Sequence, residues 1–96
     1  MSVTLTEFAQ DTLVAAYNFV YDSNPQNAEL VLDRIYGILR LLRDRKFMGE
    51  RGPIPGTRRY LVPKTSIFVV YRDVGDDVQI LAFLHKSQRW PHIPVP

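Results

Sequence analysis

The chain has 96 residues, no cysteine and a formal net charge of +2. That length makes one small domain, too short for a multidomain enzyme or a large cofactor fold. The missing cysteines exclude a disulfide framework and thiolate-held zinc, and two histidines, His85 and His92, are too few for a metal site on their own. Hydrophobic residues at 46% against 23% charged are the balance of a globular chain, not a disordered one.

The small net charge conceals a polarised sequence. Residues 1–33 carry Glu7, Asp11, Asp22, Glu29 and Asp33 with no Lys or Arg. Residues 34–59 carry Arg34, Arg40, Arg43, Arg45, Lys46, Arg51, Arg58 and Arg59 against only Asp44 and Glu50. Such a basic run suits an acidic partner, protein or nucleic acid. The N-terminus has no basic segment followed by an apolar core. No apolar run approaches the roughly 20 residues that span a bilayer. A soluble cytoplasmic protein with no membrane partner is expected.

Ser2 to Thr6 is short and β-branched and reads as a brief strand. Thr6 then suits a helix N-cap, with Glu7 in the first turn where the helix dipole favours an anion. Ala9, Leu13, Ala16 and Val20 make one helical stripe, widened by Tyr17 and Tyr21. Asn24-Pro25 ends this helix and opens the next, Asn24 as N-cap and Pro25 at the first helical position. The second helix is expected to run to about Asp44, with a core stripe of Ala28, Val31, Ile35, Ile38 and Leu42 reinforced by Leu32 and Leu39. So short a connection predicts an antiparallel helical hairpin.

Residues 45–57 contain Gly49, Gly52, Pro53, Pro55 and Gly56 and read as a connector without regular structure. Three strands follow: Arg58 to Val62, Ser66 to Arg72, and Asp77 to His85, with tight turns that imply antiparallel pairing. The expected architecture is α+β in the order β-α-α-β-β-β, a helical hairpin on a small antiparallel sheet. Residues 1–90 form the domain and 91–96 an extended tail. Strict alternation in the last strand puts Val78, Ile80, Ala82 and Leu84 against the helices. Leu81 and Phe83 then lie on the other face, under the connector or tail or in a partner groove.

Five segments stand in order along the chain: Ala9-x-x-Thr12-Leu13-x-x-Ala16-x-x-Phe19-Val20, Asn24-Pro25-x-x-Ala28, Gly56-Thr57-Arg58-Arg59, Ile67 to Arg72, and Ile80 to Pro91 with its His, Arg and Trp-Pro. Together they resemble the RelE/ParE superfamily of bacterial toxins, most closely its ParE-like branch of plasmid-stabilisation toxins, which usually has Asp at the position of Thr12. The resemblance implies a toxin of a type II toxin–antitoxin system, neutralised by a cognate antitoxin in a hetero-oligomer. It also implies one of two targets. The ParE-like branch is associated with DNA gyrase and acts by binding. The other branch cleaves messenger RNA on the ribosome.

The nuclease branch needs a base for the 2′-OH, an acid for the leaving oxygen and cations for the phosphorane. Pro63 and Phe68 stand where some of its members carry Arg, Lys86 replaces a Tyr after the His, and Ser87 stands near another Arg position. His85 is the remaining candidate catalyst, or else a strand-end cap. The candidates for holding target or phosphate are Arg58, Arg59, Lys86, Arg89 and Trp90, with Trp90 alternatively a lid on the core. Leu81 and Phe83 are the candidates for antitoxin contact. No metal and no cofactor is expected. Gyrase inhibition by binding is the preferred expectation, and a ribosome-dependent endonuclease using His85 is the alternative.

Overall fold

The computed structural model describes residues 2–52 and 54–96. Pro53, read above as part of the connector, lies outside the described residues. The elements in chain order are β1 (Val3–Leu5), α1 (Glu7–Ser23), α2 (Pro25–Asp44), β2 (Glu50–Arg51), β3 (Thr57–Leu61), β4 (Ile67–Val74) and β5 (Asp77–His85). The strands form one five-stranded sheet in the order β1-β5-β4-β3-β2. The α+β architecture is the one expected, and α1 and α2 pack as a hairpin over one sheet face.

Local chemistry sets the helix ends. The Thr6 hydroxyl accepts the Ala9 N–H at 3.0 Å. Asn24 serves both helices: its N–H closes α1 on the Val20 carbonyl at 2.8 Å, and its side-chain carbonyl accepts the Asn27 N–H at 3.3 Å. Ala28, Val31, Ile35, Ile38, Leu39 and Leu42 of α2 are buried, while Leu32 is only half-buried. From α1, Ala9 is buried and Leu13, Ala16 and Val20 pack beside it.

The sheet departs from expectation in three places. It is mixed: β1 pairs with β5 in parallel, Leu5 opposite Ile80, while the other pairs are antiparallel. The connector is not structureless, because Gly52 (φ 105°) and Gly56 (φ 81°) turn Glu50–Arg51 back along Arg58–Arg59 as a short edge strand. And β4 runs on to Val74, since Gly75 (φ 65°) and Asp76 alone make the turn into β5, with glycine at the first central position as in a type II′ hairpin.

The alternation expected for β5 is overturned. Val70 pairs with Ala82 but its neighbour Tyr71 pairs with Ile80, so Leu81 is an inserted residue, a β-bulge. The bulge switches the strand's faces. Val78 and Ile80 pack under the helices before it, and Phe83 does so after it. Leu81, Ala82 and Leu84 face the other way and join Val70 and Ile93 in a second core, with Phe8, Ile54 and Trp90 at its margin. Residues 91–96 carry no helix or strand, yet Ile93 is 3% exposed and plugs this second core. No helix among the described residues is long and apolar enough to cross a membrane.

Candidate functional site

The sequence candidates fall on two sheet faces and both ends of the strands, not in one constellation. Arg58 and Arg59 are neighbours on β3 and so point to opposite faces. Arg58 lies on the helix side. Its Nη1 donates to the Gly49 carbonyl at 2.8 Å and its guanidinium sits 5.2 Å from the Phe47 ring centroid.

Arg59 lies on the tail side within an aromatic corner. Its guanidinium is 5.3 Å from the Phe68 centroid and 5.7 Å from that of Trp90, and the two rings meet edge to face at 5.5 Å. Its Nη2 reaches Glu50 at 3.6 Å, while its Nε is buried without a hydrogen-bond partner. Stacking between two π-systems compensates in part for that unpaired donor. Trp90 is half-buried and packs against the second core, so it acts as a lid there while also holding Arg59.

His85 ends β5 on the helix side. Its Nδ1 accepts the Ser87 N–H at 3.1 Å and lies 2.6 Å from the Ser87 hydroxyl. Its backbone N–H donates to the Gln88 side chain at 2.8 Å, and its ring sits 5.1 Å from that of Phe19. With Nδ1 as acceptor, its lone pair is engaged by the Ser87 turn, the geometry of a strand-end cap. His85 pairs with Ile67, and Arg58 with Tyr71, four residues along the same strand. They are therefore roughly 13 Å apart along the sheet. Lys86 and Arg89 are exposed, and the Lys86 N–H extends the ladder to the Ser66 carbonyl at 2.7 Å.

Of the two placements expected for Leu81 and Phe83, under the tail or in a partner groove, the structure gives Leu81 the first and turns Phe83 to the helix side. Leu81 is 0% and Phe83 2% exposed, because the bulge sends them to different cores and the tail covers the first. Phe83 forms part of the wall of a groove of about 360 Å³ between α1 and the end of β5, lined also by Thr12, Ala16, Phe19 and His85. Thr12 closes the outer edge of β5 here: its hydroxyl accepts the Phe83 N–H at 3.0 Å and donates to the Ala9 carbonyl at 3.0 Å.

Three contributors were not singled out from the sequence. Phe19, at 58% exposure, is the wall of the groove; Phe47, at 65%, stands among the connector cations; and the Tyr71 hydroxyl bridges Lys46 and Gly49. For Phe47 a signal existed, an aromatic next to Arg45-Lys46 in a Gly/Pro-rich segment. For Tyr71 none did, since its partners are 22 and 25 residues away.

Known proteins share this fold. Among solved structures, the chromosomal ParDE TA system from P. aeruginosa superposes with a TM-score of 0.79 at 23% identity, over 88% of this chain and 95% of that one. A curated protein of Sinorhizobium fredii, named "Putative toxin Y4kP", is 28% identical over 75 residues, 78% of this chain and 77% of its own. The family model described as the ParE toxin of the type II toxin–antitoxin system parDE matches residues 3–90, nearly the whole fold from β1 to Trp90. On that match the chain belongs to the ParE toxin family.

Proposed function

We infer that the protein arrests growth by binding and inhibiting DNA gyrase, and that a cognate antitoxin neutralises it. Family membership across residues 3–90 supports the toxin role. One observation favours binding over RNA cleavage. The groups that a metal-independent nuclease would gather are dispersed: His85 and Arg58 lie at different ends of the helix side, and Arg59 lies on the far side. General acid–base catalysis needs its groups within hydrogen-bond reach of one phosphate.

The groove beside Phe83 is where the antitoxin is proposed to seat an apolar side chain, between Phe19 and His85. Leu81 would become available to it only if the tail left the second core. The decisive measurement is plasmid supercoiling by purified gyrase with the toxin in stoichiometric excess. Inhibition is expected; unchanged supercoiling would remove gyrase as the target. A parallel assay of messenger RNA on translating ribosomes with the His85→Ala variant separates the readings, because codon-specific cut sites lost in that variant belong to an endonuclease.

A further inference from the structure

The segment between α2 and β2 holds an aromatic ring in solvent on a rigid mount. Phe47 is 65% exposed, more than any other large apolar side chain among the described residues. The backbone around it is tied down. The Tyr71 hydroxyl donates to the Lys46 carbonyl at 2.9 Å and accepts the Gly49 N–H at 2.8 Å. The Arg58 guanidinium donates to the Gly49 carbonyl at 2.8 Å, and the Met48 N–H donates to the Arg45 carbonyl at 3.1 Å. The Lys46 ammonium reaches Asp73 at 3.1 Å and the Gly75 carbonyl at 2.9 Å. A ring on such a mount loses little conformational entropy when a partner covers it.

The setting is cationic. Arg58 and Lys46 lie over the ring, 5.2 and 5.4 Å from its centroid. Among the described residues, Arg45, Arg51 and Arg58 form no ion pair with a carboxylate. A recess of about 670 Å³ opens beside the ring, bounded by Phe47, Arg51, Gly52, Arg58 and Asp73, whose carboxylate is paired with Lys46. An exposed aromatic anchor with Arg58 and Lys46 over it, and Arg45 and Arg51 lining the recesses on either side, has the composition of an interface hot spot. Arg58 and Lys46 over the ring leave less of its face to a stacking base, so the ring is read as an apolar knob.

We propose that Phe47 and the arginines around it are the surface by which this toxin grips its target, a protein face with an apolar pocket rimmed by carboxylates. This rests on the toxin reading above and adds the place of contact. The test expresses the full chain, the Phe47→Ala variant and the Arg45→Glu/Arg51→Glu double variant from one inducible promoter. Growth arrest, thermal melting and gyrase inhibition are read for each.

Both variants are expected to melt as the parent does, since all three side chains are exposed. Both should need at least about tenfold more inducer or protein for the same effect, the loss of one anchor residue. Undiminished arrest by either folded variant overturns the proposal. A parent chain that arrests growth without inhibiting gyrase removes the gyrase reading alone, and the knob is then judged on growth. A parent chain that arrests nothing removes the toxin reading and this surface with it. Fluorescence anisotropy with a 20-base-pair DNA duplex closes the remaining route: binding that is lost in Phe47→Ala makes the surface a nucleic-acid site and overturns the protein assignment.

Discussion

Tyr71 shows how one side chain can decide the shape of a distant segment. Its ring lies in the main core at 0% exposure, and its hydroxyl satisfies two backbone groups of the connector. Burial pushes the phenol pKa up, opposed by the Gly49 N–H and the Arg58 charge, so the hydroxyl stays protonated and able to donate. Gly49 is complementary to it: a Cβ there would stand 2.7 Å from both the Tyr71 hydroxyl and the Arg59 carbonyl. Tyr71→Phe strands the Gly49 N–H and the Lys46 carbonyl. It is expected to cost about 1–3 kcal/mol in urea unfolding, with little change in the core. If the connector also carries the target contact, that variant loses growth arrest out of proportion to its stability.

Among the elements, β5 carries most of the design. Its bulge lets one strand serve two cores, the helix-covered one through Val78, Ile80 and Phe83 and the tail-covered one through Leu81, Ala82 and Leu84. A second core on a sheet this small needs a cover, and the tail supplies it through Ile93. Ile93→Ala is expected to destabilise by about 2–4 kcal/mol, the range for truncating a buried branched side chain. It should also raise binding of a hydrophobic dye, because Leu81 and Leu84 lose their cover. A loss below about 0.5 kcal/mol would mean that the tail is not held in solution.

Across the whole molecule, the antiparallel hairpin returns the basic end of α2 to the start of the chain, where Arg40 and Arg43 share a surface recess with Ser2, Val3 and Leu5. What the fold gathers is the connector group around Phe47. The N-terminal strand is locked to the last strand by a charged contact, the Ser2 N–H donating to the Asp77 carboxylate at 2.9 Å. That bond from Ser2 lowers the Asp77 pKa below its ordinary 3.8. A carboxylate with a depressed folded pKa adds stability above its unfolded value and loses it as pH falls through the lowered one. Asp77→Asn should therefore be less stable than the parent by a constant margin from neutral pH down to about 4, and the margin should close below that. Parallel melts of the two proteins across that range measure it.

The sequence by itself determined the helices, their caps and the order of the major strands, because those depend on neighbours within a turn or two. Thr6 and Asn24 cap within three residues, the α2 stripe repeats within the helix, and Asp77 to His85 is a strand of the expected extent. It also carried the family, since the matching words lie along the chain in order. Only the tertiary structure decided which face of β5 meets the helices, that β1 joins it in parallel, and that a two-residue strand sits in the connector. Each of these depends on a partner far away in the chain. A bulge is invisible to periodicity, because one inserted residue reverses every later side chain without altering composition. For the same reason Arg58, Arg59 and His85, which looked like one site in the sequence, were separated by the pleat and the length of the sheet. Phe47 became the exposed centre of a cationic surface only once Tyr71 and Arg58 had fixed its loop.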